Sequence, residues 1–220
     1  MLNVLYEDNH LIAVNKKAGD IIQADKTGDL PLSEVVKSYI KKKYKKPGKV
    51  FLGTIHRLDR PTSGVVLFAR TSKSLVRMNT QFKNREVKKT YWAIVNNLPP
   101  KSSGILINFL KKDKKKNKSY ITTHTDGKNA ILEYKILRKL ENFYHLEIKP
   151  KTGRHHQIRV QLSNIGCIIK GDIKYGAKRS NKDKGISLVA KEIKFTHPIT
   201  KKEIIITAPI PNNTIWKACK

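Results

Sequence analysis

The residues best suited to chemistry lie in one short segment, Gly53–Gly64, which reads GTIHRLDRPTSG. In it, Asp59 stands between Arg57 and Arg60, in a polar stretch that separates two apolar runs. Nearby cations favour the ionised form of a carboxyl group, and an ionised carboxylate in a fixed position can act as a nucleophile or a base. The same pattern also fits a loop aspartate in a structural salt bridge, because such ion pairs are common outside active sites. The segment by itself leaves both roles open.

A second polar segment, KTGRHHQIR at 151–159, brings Arg154, His155, His156 and Arg159 close together in sequence. The planar guanidinium of Arg159 could bind both oxygens of one carboxylate. His155 and His156 are adjacent, which is not the helical spacing that a histidine pair uses to bind a metal. The chain also has no GxGxxG, no P-loop and no paired cysteines. We therefore expect no metal and no nucleotide cofactor.

The chain carries a strong positive charge. Its 46 Lys and Arg residues against 17 Asp and Glu residues give a formal net charge of +29, with a pI of about 10.1. An excess of this size repels itself in a compact protein, so it indicates a polyanionic partner. Nucleic acid is the first candidate and an anionic membrane surface is the second. Two lysine-rich tracts, 41–49 and 111–118, are candidates for binding the phosphate backbone, which gives affinity without base specificity.

The sequence shows no feature of a secreted or membrane protein. A run of about 18 apolar residues, which a membrane-spanning helix would need, does not occur. The opening residues include Glu7, Asp8 and His10, unlike a secretory signal. Cys167 and Cys219 form neither a disulfide framework nor a metal-binding spacing. We therefore expect a cytoplasmic protein with two reduced thiols.

The candidate residues must be positioned by a mixture of strands and a few helices. Helical spacing of apolar residues predicts helices at 32–40, capped by Ser33 and ended by Pro47 and Gly48, at 72–84, capped by Thr71 or Ser72, and at 155–166, ended by Gly166. Strands are predicted at 2–6, 10–15, 50–55, 65–69, 88–95, 130–137, 143–149, 186–195 and 203–207. Residues 16–31 should form a loop, and 111–120 an exposed loop or hairpin tip. Because the helices do not alternate strictly with strands, the pattern predicts an α+β fold.

The chain resembles the RluA-type pseudouridine synthases. HRLDRPTSG is similar to their HRLDR-x-TSG motif, and KTGRHHQIRVQLSNIG followed by Gly171-Asp172 and Tyr175-Gly176 is similar to their TGR-x-HQIR-x-x-L…GD-x-x-YG block. VLYEDNHLIAVNKKAG resembles their first hairpin, KKTYWAIV their tyrosine strand and FTHPIT their closing strand. Pro61 and Gln161 depart from the pattern, at positions that the chemistry does not require.

The resemblance implies a role for each candidate residue. Asp59 would be the catalytic aspartate, which attacks the uracil ring or the sugar C1′ while the base is detached, turned and reattached through carbon. Tyr91 would stack on the extruded uracil, with Trp92 on the opposite face of its strand packed in the core, and Arg159 would pair with Asp59. Arg57 would fill the gap that the base leaves in the RNA. The remaining site residues would shape the loop or contact phosphates: His56, Arg60, Thr62, Arg154 and His156.

The fold implied by the resemblance is a bent, mainly antiparallel mixed sheet with surrounding helices and a central active-site cleft, in one catalytic domain over 1–220. No preceding S4-type RNA-binding module is expected. The substrate would be a specific uridine in structured rRNA or tRNA, and we expect a monomer without an obligate protein partner. A non-catalytic RNA-binding or ribosome-associated protein would explain the charge equally well, but not the shared register of Asp59, Tyr91 and Arg159. A zinc base deaminase is excluded, because its His-x-Glu and Cys-x-x-Cys signatures are missing.

Overall fold

A computed structural model describes residues 2–25 and 27–219 of the chain and shows the expected α+β fold. The helices are α1 Leu32–Lys43, α2 Ser72–Lys83, α3 Gln157–Asn164 and α4 Thr214–Lys217, with a short 3₁₀ helix at Ile173–Tyr175. The strands are β1 Val4–Glu7, β2 Leu11–Lys16, β3 Gly53–Thr54, β4 Ser63–Ala69, β5 Lys88–Val95, β6 Ser103–Asp113, β7 Lys118–Thr122, β8 Lys128–Lys139, β9 Tyr144–Pro150, β10 Leu188–Thr196 and β11 Glu203–Thr207. Lys26, within the predicted loop 16–31, lies outside the described residues.

The chain divides into two compact units, Met1–Lys88 with Ala190–Pro209, and Lys89–Val189 with Ile210–Lys220. In the first unit the strands follow the order β1-β2-β4-β10, with β3 also paired to β4 and β11 to β10. The pairs β1–β2, β2–β4, β3–β4 and β10–β11 are antiparallel. In the second unit the order is β5-β9-β8-β6-β7, and all of these pairs are antiparallel.

Each unit has its own apolar core. In the first unit α1 covers one face of the strands through Val36 and Ile40, and α2 covers another cluster through Met78, as predicted. In the second unit Ile158 and Leu162 of α3 pack against buried strand residues. Among the described residues, none of the helices combines the length and apolar character that crossing a membrane requires.

The predicted N-cap is confirmed for α2 and wrong for α1. Thr71 caps α2 as predicted, since its side chain accepts a hydrogen bond from the backbone N–H of Ser74. The predicted Ser33 cap of α1 is wrong. The N-cap is Pro31, and Ser33 is buried inside the first turn. The α1 helix also ends at Lys43, before Pro47 and Gly48 are reached.

The strands β6 and β7 and the final helix α4 were not anticipated from the sequence. Ile105 and Ile107 of β6 are 61 % exposed, so its apolar residues do not mark a buried face. Asp113 and Lys118 pair at the end of the β6–β7 hairpin. The predicted hairpin tip is confirmed in place, but its bounds of 111–120 are too wide, because 111–113 and 118–120 belong to β6 and β7 and only 114–117 form the turn.

A buried histidine in the second unit makes stability depend on pH. His145 is 2 % exposed, its ring lies edge-on to Trp92 and Trp216, and both ring nitrogens lack a hydrogen-bond partner among the described residues. Burial, followed by the nearby charge of Arg138, lowers its pKa from 6.5 to about 4. Between these two values the unfolded chain binds a proton that the folded chain excludes, so stability falls as pH falls from 6.5 to 4.

We expect His145→Phe to remove part of this dependence, lowering the slope of unfolding free energy against pH by about 1 kcal/mol per pH unit near pH 5. Urea denaturation at several pH values measures it. The exposed His124 offers a matched control, because His124→Phe should leave the slope unchanged. An unaltered slope in His145→Phe would mean that this ring is protonated in the folded state.

Candidate active site

The loop between β3 and β4 carries five of the predicted site residues: His56, Arg57, Asp59, Arg60 and Thr62. Its first anchor is His56, whose Nε2 accepts a hydrogen bond from the backbone N–H of Leu67 at 3.1 Å while its ring stacks on Phe82. Its last anchor is a turn in which the N–H of Thr62 donates to the carbonyl of Asp59 at 3.0 Å. The loop is therefore tied to β4 and α2 at its start and closed by an internal turn near its end.

A fully buried lysine donates hydrogen bonds to the backbone of the same loop. Lys16, at the end of β2, is 0 % exposed. Its ammonium donates to the carbonyl oxygens of Lys17, Arg60 and Thr62 at 3.0, 2.9 and 2.7 Å. Burial lowers the pKa of Lys16 to about 8, against the negative charges of Asp20 and Asp59, which act to raise it. Lys16 thus links the backbone on either side of Pro61 and places a positive charge near Asp59.

Gly64 closes the loop where it joins β4. Its φ is +114°, and a Cβ added there would lie 2.3 Å from the carbonyl oxygen of Ala190. Only glycine fits this backbone and this distance. The final glycine of HRLDRPTSG is therefore required by packing within the first unit.

The side chains of the loop differ in their access to solvent. Asp59 is half-buried. Arg57 is exposed and forms no ion pair with any described residue. Arg60 is also exposed and binds Asp29 at 2.6 Å. Thr62 is 2 % exposed, and its role in shaping the loop or contacting phosphate stays a prediction.

In the second unit, Arg159 lies in the first turn of α3 and is 4 % exposed. Its Nε donates to Oδ2 of Asp172 at 2.7 Å, and its Nη2 donates to Oδ1 at 2.8 Å. Asp172 is 1 % exposed, and the ring of Tyr175 lies 5.0 Å from the guanidinium carbon. This bidentate, buried pair fixes the guanidinium plane. The expected pairing of Arg159 with Asp59 stays a prediction.

Tyr175 connects the start of α3 to the β6–β7 hairpin. Its hydroxyl accepts from the N–H of Ser119 at 2.9 Å and lies 2.9 Å from Nδ1 of His156. His156 is 8 % exposed and has a left-handed backbone. Burial, followed by the charge of Arg159, lowers its pKa to about 2. The lowered pKa favours the neutral ring, and its role as a residue that shapes the site or contacts phosphate stays a prediction.

Tyr91 and Arg154 are the other two predicted site residues of this unit. Tyr91, on β5, is half-buried beside the cluster that contains Ile158 and Leu162. Trp92 faces the opposite side of β5, where it packs against His145 and Trp216, as expected. The Nε of Arg154 donates to the carbonyl of Asn129 at 2.9 Å. The described residues contain no cluster of His, Cys, Asp and Glu able to hold a metal.

We expect Asp172→Asn to destabilise the protein strongly, because it removes the charge opposite a buried guanidinium. Breaking such a pair costs about 3–5 kcal/mol, which corresponds to a melting temperature lower by roughly 10 °C for a chain of this size. Thermal denaturation followed by circular dichroism measures it. Asp113→Asn, in the exposed hairpin turn, is the control and should shift melting by about 2 °C or less. Equal melting of the two variants would show that the pair contributes nothing.

The structure thus places the predicted residues in two sets, one per unit, and adds three that sequence reasoning missed. Asp172 and Tyr175 were visible only as letters of a motif, with no role attached. No sequence pattern indicates that Lys16 is buried, because a lysine at the end of an apolar strand is normally exposed.

Comparison with known proteins gives the family. A family model described as RNA pseudouridylate synthase matches residues 10–164. The chain is 36 % identical over 211 residues to ribosomal large subunit pseudouridine synthase C of Rickettsia prowazekii, covering 94 % of this chain and 68 % of that protein. It is 31 % identical over 215 residues to an uncharacterized RNA pseudouridine synthase of Bacillus subtilis, covering 96 % and 70 %.

A synthase C from Buchnera aphidicola is 34 % identical over 215 residues, covering 94 % of this chain and 66 % of that protein. The chain thus spans about two thirds of the length of these curated relatives. Among solved structures, human RNA pseudouridylate synthase domain containing 4 superposes with a TM-score of 0.81 at 23 % identity, over 99 % of this chain and 91 % of that one. This likeness confirms the fold, and the sequence matches show that the chain belongs to the RNA pseudouridylate synthase family.

Proposed function

We propose that this pseudouridine synthase modifies a uridine of structured RNA with Asp59 as its nucleophile. The observation that carries the proposal is a half-buried carboxylate on a loop whose backbone is bound by the ammonium of Lys16. A nucleophile has to be reachable and ionised, and its position has to be fixed before the substrate arrives. Asp59 combines solvent access, a nearby positive charge and an anchored backbone.

The reaction conserves every atom of the nucleotide except for exchange of protons. The bond between C1′ and N1 breaks, a bond between C1′ and C5 forms, the proton of C5 leaves and N1 gains a proton. Asp59 adds either to the uracil ring or to C1′, and both routes require the ionised carboxylate. The carboxylate of Asp59 is restored when its bond to the nucleotide breaks and the product leaves. The chemistry therefore consumes no oxidant, reductant or cofactor.

The other residues bind and orient the extruded nucleotide. Tyr91 offers an aromatic face for stacking on uracil. Arg57, exposed at the start of the loop, has the length and charge to occupy the space left between neighbouring bases. Arg159 uses two of its five N–H groups on Asp172, and we assign to it the pairing with the carboxylate of Asp59. The two units together would form one catalytic domain over 1–220.

Large-subunit ribosomal RNA is the substrate favoured by the relatives, several of which are named for it. Transfer RNA is the alternative that the sequence left open. We further propose that the protein works as a cytoplasmic monomer without an obligate protein partner. Its charge of +29 suits binding to RNA at many phosphates.

The test uses transcripts of ribosomal and transfer RNA labelled with tritium at C5 of uridine. Because C5 loses its hydrogen in the reaction, enzyme turnover releases tritium into water. Mapping of pseudouridine in the treated transcripts then identifies the position. Release from the large-subunit transcript supports the proposal. Release from transfer RNA alone would mean that transfer RNA, and not ribosomal RNA, is the substrate. No release from either transcript would contradict the assigned activity.

A further inference from the structure

Five exposed lysines cluster where α1 ends and the following loop begins. Lys41, Lys42, Lys45, Lys46 and Lys49 are all exposed, and none of them pairs with a carboxylate among the described residues. We call these five residues the lysine anchor. Five unneutralised ammonium groups within nine residues create a strongly positive surface that attracts a polyanion.

One of the five occupies a backbone position that favours glycine. Lys45 has φ of +47°, its N–H donates to the carbonyl of Lys42, and the N–H of Lys46 donates to the carbonyl of Lys41. This arrangement is a Schellman motif, in which the left-handed residue is usually glycine. A lysine there strains the backbone and adds a positive charge to the surface.

A rigid network lies beneath the anchor. The side chain of Glu7 is 8 % exposed and accepts hydrogen bonds from Lys43 at 2.6 Å, Tyr44 at 2.9 Å and Tyr39 at 3.0 Å. Burial alone would raise the pKa of Glu7, but these hydrogen bonds hold it below its usual value. Glu7 is therefore an anion that ties the end of α1, from which the anchor extends, to β1.

The same network holds an exposed aromatic ring. Tyr44 is 43 % exposed, and the guanidinium carbon of Arg70 lies 4.5 Å from its ring centre. Lysines around a fixed, accessible aromatic ring fit a nucleic acid, because phosphates bind the ammonium groups and a base or sugar can lie against the ring.

The anchor is separate from the reaction centre. Glu7 pairs with Ile12 of β2, whereas Lys16, four residues further along the same strand, binds the loop of Asp59. Four residues of strand correspond to about 13 Å. An RNA that occupies both places must therefore extend beyond the target uridine.

We propose that the lysine anchor binds the phosphate backbone of RNA flanking the target uridine, and thereby sets affinity and not the rate of the chemical step. This inference rests on the proposed function for the identity of the polyanion. It assigns to the end of α1 a binding surface that is distinct from the loop of Asp59.

The test compares wild type with a variant carrying Lys41→Gln, Lys42→Gln, Lys45→Gly, Lys46→Gln and Lys49→Gln. Tritium release from the transcript modified by wild type should show KM raised roughly tenfold or more near 0.15 M salt, with kcat changed less than about twofold. Filter binding of the same transcript should show a shallower dependence on salt, by about 0.7 in log–log slope for each phosphate that the variant no longer neutralises.

A control variant removes the same charge from elsewhere in the first unit through Lys73→Gln, Lys83→Gln, Arg85→Gly, Lys201→Gly and Lys202→Gln. Its KM and salt slope should change less than half as much. Arg85 is a close match for Lys45, because it ends α2 in the same motif with φ of +63°. Lys45→Gly and Arg85→Gly should each raise the melting temperature by about 2–4 °C, but only Lys45→Gly should weaken RNA binding.

Three results would contradict the proposed role of the lysine anchor. The two five-residue variants could raise KM equally, the anchor variant could lower kcat alone, or it could lose binding to phosphatidylserine vesicles while keeping RNA affinity. The last result would make a membrane surface the partner. Filter binding measures the contribution of the lysine anchor to RNA affinity even if no transcript is turned over. Failure of this proposal and failure of the proposed activity are therefore distinguishable.

Discussion

Replacing Asp59 with asparagine is expected to lower tritium release by about 10⁴-fold or more while RNA affinity stays within about twofold. The amide keeps the shape of the side chain but is a far weaker nucleophile, and loss of a nucleophile from an otherwise intact site has effects of this size. Binding should survive because phosphate contacts come from other residues. Single-turnover tritium release and filter binding on the same transcript measure the two quantities.

The matched control is Asp29→Asn, which removes a carboxylate from the same unit. Asp29 forms an exposed ion pair with Arg60 at 2.6 Å, and exposed pairs contribute little. We expect its turnover to remain within about threefold of wild type. If Asp59→Asn keeps its turnover under these conditions, another group is the nucleophile and the assignment from the motif is wrong.

Lys16→Met is expected to produce the second largest effect, through the position of the loop. Methionine has a similar length and fills the same buried space, but it leaves three backbone carbonyls without their donor. A buried acceptor that loses its partner costs about 1–3 kcal/mol. We expect unfolding free energy to fall by roughly 3 kcal/mol, and kcat to fall about 100-fold as the loop of Asp59 loosens.

The pH profile separates a positioning role for Lys16 from simple destabilisation. The pKa of Lys16 is about 8, so wild type should lose turnover as pH rises above 8 and the ammonium loses its proton. Lys16→Met should lack this decline, since it has no proton to lose. Lys17→Met, at the exposed neighbour, should retain both the rate and the decline. An unchanged decline in Lys16→Met would assign it to another group.

Local sequence determined the elements whose signals are short in range. The Thr71 cap, the apolar face of α2 and the hairpin around 111–118 were all predictable, because capping and periodicity depend on residues a few positions apart. The prediction failed at Ser33, because the N-cap lies two residues earlier at Pro31 and the Ser33 N–H donates to the carbonyl of the distant Ile22. It also missed β6, whose outward residues Ile105 and Ile107 are apolar. Apolar and polar residues therefore do not alternate between the buried and the exposed face of this strand.

The family motif identified Asp59 as the candidate nucleophile, and no periodicity could have done so. What only tertiary structure decided is how charge is distributed around the candidate residues. Lys16 is buried beneath the loop, Arg159 is bound by Asp172, and Glu7 organises the end of α1. Each of these partners is distant in sequence, since contacts between charged groups depend on the path of the folded backbone. Residue order therefore determined which groups can react, and the fold decided which of them are held, neutralised or left exposed.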